Sequence, residues 1–228
     1  MPKFRISLLV LLILGILTFT TYCNILKSPF IWDDVGLIVE NPDIKDPGNI
    51  LKILKEDLYS STLIGSNFYR PIQSLSFMLD YKLWQLEPFG YHLTNVLLQV
   101  LVSFLVFLFL FFITVDFKLS FFSSLLFSVS PLNIEAVTYI SGRAEMLMSV
   151  FLLSSFLSFG LSLGKVSFVK RIYVFISYLS FIFSLLSKEL ALVLPIILMA
   201  YLYFKQQDAL KSFREKLKVL SGFFFIVL

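Results

Sequence analysis

The sequence predicts an all-α integral membrane protein, a multi-pass helical bundle of about seven spans. Three observations predict it. Hydrophobic residues make up 58% of the 228 positions and charged ones 15%, giving a mean hydropathy of +0.88. Apolar runs close to the roughly 20 residues that cross a ~30 Å hydrocarbon core recur along the chain. Basic residues gather in alternate connections, the signature of a fixed orientation.

Taken in order, the first run, about Ile6 to Ile25, follows Lys3 and Arg5. It lacks a small-x-small cleavage site and exceeds a usual signal core, so an uncleaved helix is expected. Further runs cover roughly Leu93–Val115, Leu119–Leu132, Ala144–Leu163, Ile172–Ser187, Leu190–Phe204 and Val219–Leu228. The run Leu119–Leu132 is short unless it continues into Asn133–Tyr139. The last begins a seventh span and leaves it incomplete, so the chain reads as the N-terminal part of a longer protein.

Orientation follows from the connections. With the N-terminus inside, the inner segments hold Lys3, Arg5, Lys118, Lys165, Lys170, Arg171, Lys205, Lys211, Arg214, Lys216 and Lys218 against only Asp116, Asp208 and Glu215. The remaining, mostly acidic charges fall outside, so the N-terminus is expected in the cytoplasm. The net charge of +4 is thus a membrane-orientation signal, with no nucleic-acid partner implied. A single cysteine, Cys23, excludes an intramolecular disulfide framework.

The long connection, residues 27–91, forms a first outer loop within a single transmembrane domain that covers residues 1–228. Within it, Ile50, Leu51, Ile53, Leu54 and Leu58 fall on one side of a helix over Asn49–Leu58, the pattern of a helix lying in the membrane interface. After Arg70-Pro71, with proline in a first helical turn, Ile72, Leu75, Leu79, Leu83 and Leu86 recur at three- and four-residue spacing. This second amphipathic helix should end near Glu87-Pro88-Phe89-Gly90.

Three outer clusters hold the chemistry: Trp32-Asp33-Asp34, Asn133–Glu145, and Ser187-Lys188-Glu189. Ionisable groups kept at helix ends often line a polar cavity. Asp33 and Asp34, if extended, point to opposite faces, so one suits a general base while the other holds a cation or caps a helix; the pair equally fits a plain helix end in a wet loop. Glu135 and Tyr139 share a face if helical. Arg143 offers the planar fork that suits a phosphate, or an ion pair with Glu145 or Glu135. Lys188-Glu189 is either a self-contained ion pair or part of the same cavity. Tyr69, Arg70 and Tyr91 offer aromatic and cationic surface, and His92, the only histidine, sits where it would order a helix start.

In sequence order, Phe30-Ile31-Trp32-Asp33-Asp34, Tyr69-Arg70-Pro71, Gly90-Tyr91-His92-Leu93-Thr94-Asn95, Glu135-Ala136-Val137, Ser141-Gly142-Arg143-Ala144-Glu145 and Lys188-Glu189 resemble the protein O-mannosyltransferase-like membrane glycosyltransferases of C-type (GT-C) architecture, in particular their branch with transmembrane and tetratricopeptide-repeat regions. The resemblance runs from about Phe30 to Pro195. It implies a GT-C-like fold and transfer of a mannose-like hexose from a polyprenyl-phosphate donor to a protein or glycan hydroxyl on the non-cytoplasmic face. It implies an acidic catalytic pair in the first outer loop, matched by Asp33 and Asp34. Asp33 is taken as the base with Asp34 next, and Arg143, Lys188, Arg70, Glu145, Glu189, Tyr69, Glu135 and His92 are the candidate donor-site residues from their charge, aromatic surface and position. A divalent cation at the acids lacks further convergent ligands, so no metal is assigned. The chain departs from the family pattern at Ser130 and Gln99, where histidines are expected, which bears on donor handling. A transporter or lipid flippase, or an inactive membrane-anchored relative, is the alternative.

Overall fold

The computed structural model of the protein describes residues 4–58, 68–163, 167–204 and 220–226. Among them the regular elements are all helical. Helix α1 (Phe4–Tyr22) runs into a 3-10 turn, Cys23–Lys27. Short turns then lead to α2 (Ile50–Ile53), followed by α3 (Pro71–Trp84) and the long α4 (Pro88–Thr114). Helices α5 (Phe117–Ser128), α6 (Ile134–Thr138), α7 (Arg143–Ser162), α8 (Ser167–Leu185) and α9 (Leu194–Phe204) follow. The basic stretch from Lys205 to Lys218 lies outside the described residues, as do the two ends of the Val219–Leu228 run, whose residues 220–226 are helical.

Four stretches, Arg5–Lys27, Pro88–Thr114, Ile140–Ser162 and Phe168–Leu185, are long and apolar enough to cross a membrane. A fifth is a broken pair, Phe117–Ser128 with Pro131–Thr138, bent by 51°. The short third run therefore does continue through Asn133, with Pro131 opening the new turn and Ser130 accepting the Leu132 N–H to cap it. Glu189–Phe204 is apolar but shorter. Among the described residues, four or five of the about seven expected spans are thus found on length and composition.

Apolar side chains fill the core and also cover much of the exterior, while small polar ones share the interior. Leu9, Leu12, Leu97, Phe122, Leu126, Phe168 and Phe175 point outward, whereas Ser103, Ser120, Ser124, Ser128, Ser155, Ser177 and Ser184 are buried between helices. Small hydroxyl residues allow close helix approach and hydrogen bonds where lipid gives no hydrophobic drive. The antiparallel α7–α8 pair shows this: Ser155 and Ser177 each donate to the other's carbonyl at 2.8 Å, and Ser184 donates to the Met148 carbonyl at 2.9 Å.

The outer loop departs from its expected form. The helix expected over Asn49–Leu58 is a single turn, α2, after which Leu58 turns to bond the Phe68 carbonyl. Ile53 and Leu58 pack inward with Leu37, Ile38, Ile44, Phe77, Met78, Tyr91 and Ile140, while Leu51 stays exposed. In α3, Leu79 and Leu83 face outward and Gln73, Ser74, Phe77 and Asp80 face inward. The predicted apolar stripe is therefore exposed only in its second half, since Leu75 packs against the core, and the hidden side mixes Phe77 and Met78 with Gln73, Ser74 and Asp80.

Candidate active site

The three outer clusters converge at one end of the bundle. After α1 the chain makes a tight turn in which the Asp34 N–H donates to the Ile31 carbonyl at 3.0 Å and Val35 to Trp32 at 3.2 Å. Trp32 holds a left-handed φ of 48°. The two carboxylates diverge, but on a helical turn rather than through the alternation of an extended chain. Asp34 is buried, with Oδ1 accepting from the Ser141 N–H at 2.9 Å and its hydroxyl at 2.6 Å, and Oδ2 accepting from the Ile31 N–H at 3.3 Å. Asp33 is exposed, and its backbone N–H donates to the Tyr139 hydroxyl at 3.0 Å.

Asp33 opens onto a cavity of about 210 Å³ whose wall also includes Arg70, Gln73, Glu135, Tyr139, Glu145 and Lys188. This is below the ~300–1,000 Å³ of a site that engulfs a whole drug-sized ligand, so it suits a reacting group rather than an entire lipid-linked molecule. Two ion pairs frame it: Lys188 Nζ to Glu145 Oε1 at 2.6 Å, and Arg70 to Glu189 Oε1 at 2.9 Å. In both pairs the cation is the more enclosed partner, at 16% and 15% side-chain exposure against 51% and 55% for the acids. Gln73 donates to the Ser141 carbonyl at 2.8 Å, tying α3 to the wall.

Behind this wall lies a buried polar layer. Arg143, with none of its side chain exposed, pairs with Asp80 Oδ2 at 2.6 Å. It also donates to Asn95 Oδ1 at 2.8 Å and to the Tyr91 carbonyl at 2.9 Å, and lies over the Phe77 ring at 4.8 Å. Asn95 in turn donates to the carbonyls of Val137 and Tyr139 at 3.3 and 3.2 Å. This layer fixes the 137–141 segment that carries Tyr139 and Ser141. Gly142 completes the packing, since a Cβ there would lie 2.8 Å from the Glu135 carbonyl and 3.0 Å from the Ala136 Cα.

Burial pushes the Asp34 carboxyl above the usual range, and the two bonds from Ser141 act against it. Burial also pushes the Tyr139 hydroxyl up to about 12, with the charges of Asp33 and Asp34 adding to the effect. Tyr139 therefore stays protonated beside Asp33. Among the described residues, no three of His, Cys, Asp or Glu converge as metal ligands.

No family model and no solved structure matches the chain. Curated proteins do. The chain is 38% identical over 156 residues to human protein O-mannosyl-transferase TMTC3, covering 67% of this chain and 17% of the relative. It is 40% identical over 152 residues to mouse protein O-mannosyl-transferase TMTC1, covering 63% and 16%. It is 34% identical over 151 residues to protein O-mannosyl-transferase F38B6.6 of Caenorhabditis elegans, covering 64% and 22%. Its relatives are protein O-mannosyl-transferases. The chain spans less than a quarter of the length of these O-mannosyl-transferases.

Against the donor-site set that the O-mannosyl-transferase resemblance implies, the structure brings Asp33, Arg70, Glu135, Glu145 and Lys188 to one cavity, with Glu189 paired to Arg70. It does not bring Arg143 there. The reading of Arg143 as a phosphate contact is corrected: its guanidinium is enclosed and its partner is Asp80, neither Glu145 nor Glu135. His92 is buried and meets the Ser28 carbonyl at 3.2 Å, and Tyr69 donates to the Leu54 carbonyl at 2.7 Å, so both brace the outer loop. Gln99, buried, lines a separate cavity of about 160 Å³ with Asn133, Glu145 and Ser149. Asp80 and Gln73 are residues that sequence reasoning missed, and Asn95 and Ser141 stood in its motifs without a role. Asp80 carried a usable signal, as the only acid of the Pro71–Trp84 helix.

Proposed function

We propose that this chain forms the transfer site of a glycosyltransferase that moves a mannose-like hexose from a polyprenyl-phosphate donor to a hydroxyl, on protein Ser or Thr, at the non-cytoplasmic face of the membrane. The observation that carries the reading is an exposed Asp33 at a cavity whose wall also holds Lys188 and Arg70. The names of the relatives support a sugar donor and a protein acceptor. The charge distribution along the sequence supports a cytoplasmic N-terminus. A GT-C bundle with seven spans is the architecture that accords with both.

In this reading the acceptor hydroxyl gives its proton to an Asp33 carboxylate oxygen as it attacks the anomeric carbon. The bond from that carbon to the phosphate oxygen breaks on the opposite side, so configuration inverts and polyprenyl phosphate leaves with the electron pair. General-base help of this kind contributes about 10²–10⁴-fold. Charge develops on the departing phosphate, and cations already fixed in place stabilise it more in the transition state than before. Lys188 and Arg70 take this role, and Asp34, held by Ser141, positions Asp33 rather than acting itself.

The test is transfer from a panel of radiolabelled polyprenyl-phosphate sugars to a membrane-extract acceptor pool by the full-length protein in nanodiscs. Asp33→Asn, matched for folding, should lose transfer that wild type performs, and a chelator arm reads metal dependence. Full activity in Asp33→Asn would remove the base assignment. Wild type that is folded yet transfers no donor would favour a transporter, a flippase or an inactive relative.

A further inference from the structure

We propose that Trp32 is the acceptor platform of this site: its exposed indole face, beside Asp33, stacks on the polypeptide that presents the hydroxyl. This rests on the transferase reading above. Trp32 is 81% exposed and holds φ 48°. A left-handed backbone is unfavourable for any residue with a Cβ and most out of place for a bulky one. Such strain persists where the surroundings enforce it, and it clusters at working sites.

The turn itself is held by the fold, through the Asp34 and Val35 N–H bonds to the Ile31 and Trp32 carbonyls and the burial of Asp34 against Ser141. Gln85 and Val115 hold similar angles at helix ends, but the exposure of the Trp32 indole is not explained by any of these. The ring packs edge-on against Tyr139, centroid to centroid 5.9 Å, and otherwise faces outward. The other tryptophan is a contrast: Trp84 lies over Gly90 and meets Phe89, as a packing residue does. An interfacial anchor would need an exposed ring but no left-handed turn.

Position supplies the ligand class. Asp33 and Tyr139 line the cavity and Trp32 does not, so its ring stands outside, at the end that Asp33 and Tyr139 mark. Inversion requires the hydroxyl to enter at the base, with the phosphate leaving toward Lys188 and Arg70. Trp32, next in sequence to the base and exposed outside the cavity, is therefore placed to meet what carries the hydroxyl. A peptide segment, with its flat amide groups and short apolar side chains, can lie against an indole, which offers large contact area at small entropic cost.

The experiment measures transfer by the full-length protein in nanodiscs from a polyprenyl-phosphate mannose donor to a synthetic peptide containing Ser and Thr. It compares wild type, Trp32→Gly and Trp32→Phe. Glycine accepts the left-handed turn without strain, so Trp32→Gly should melt no lower than wild type. Its KM for peptide should rise about tenfold, the change expected for one lost aromatic contact, with donor KM and kcat at saturating peptide within about twofold. Trp32→Phe should restore most of the peptide KM. An unchanged peptide KM in Trp32→Gly, beside an active wild type, overturns this role alone. A lower melting temperature with donor and peptide parameters worsening together marks a structural anchor and also overturns it. A folded wild type that transfers nothing overturns the transferase reading, and this role with it.

Discussion

Asp34 and Ser141, 107 residues apart, meet at a single carboxylate oxygen, which accepts both the N–H and the hydroxyl of the serine. This contact clamps the first outer turn to the start of α7 and leaves the neighbouring Asp33 facing the cavity. Burial outweighs these two bonds, so Asp34 is an acid whose proton the folded state retains more tightly than the unfolded chain does.

The sign of the resulting pH effect follows from linkage. A carboxyl raised on folding adds stability that is fully present below the ordinary carboxylate range and is lost as pH rises through the raised value. Asp80 is raised by burial as well, against the opposing charge of Arg143, and acts in the same direction. Melting temperature in detergent should therefore fall as pH rises through and above the carboxylate range. Asp34→Asn, which keeps an acceptor oxygen for Ser141, should fold and flatten that slope. An unchanged slope would show that the acid does not titrate there.

The buried Arg143–Asp80 pair should be far more sensitive to loss of one partner than of both. Asp80→Ala leaves an enclosed guanidinium without its counter-ion and should cost about 3–5 kcal/mol, while a paired apolar replacement such as Arg143→Met with Asp80→Leu should recover much of it. Thermal unfolding of these two variants beside wild type reads the difference directly.

Gly142→Ala should destabilise by about 1–3 kcal/mol, because the new methyl meets backbone of Glu135 and Ala136, which has no rotamer by which to yield. The same strain displaces Tyr139 and Ser141, so transfer should fall by more than stability alone explains when both are measured at a temperature where the variant is folded.

Lys188→Ala should separate stability from function. A half-open ion pair contributes about 0–1 kcal/mol, so melting should barely change. Transfer should fall about 10²–10³-fold if the ammonium meets the leaving phosphate. Glu145→Gln, which removes only the exposed partner, should cost less activity, and equal losses in the two variants would indicate that the pair acts only as a brace.

Four or five of the about seven expected spans were legible because length and apolarity define them, and the run Leu119–Leu132 was legible as too short by itself, though the 51° bend that follows it was not. The helix over Asn49–Leu58 was misread. Its stripe shows that Ile53 and Leu58 are apolar, but not that the core beneath α3 takes them before the interface can. Arg143 was misread for a related reason. A guanidinium beside a candidate acid looks available until the fold supplies Asp80, 63 positions earlier in the numbering, as a nearer and better-enclosed partner. The grouping of Asp33, Arg70 and Lys188 has no signature in any one segment, because it depends on which helix ends meet.

That dependence also sets a clock on assembly. Arg70 and Glu189 are separated by 119 residues, and at a synthesis rate of about 5–20 residues per second their pairing must wait roughly 6–24 s after Arg70 leaves the ribosome. Throughout that interval the Arg70 guanidinium is without the carboxylate that it meets in the finished fold, whereas Lys52 and Asp43 can already pair within their own segment. A nascent chain at this stage is open to chaperones and proteases of the receiving compartment, and mutations along α7 or α8 that delay insertion would lengthen the exposure without touching any residue of the cavity.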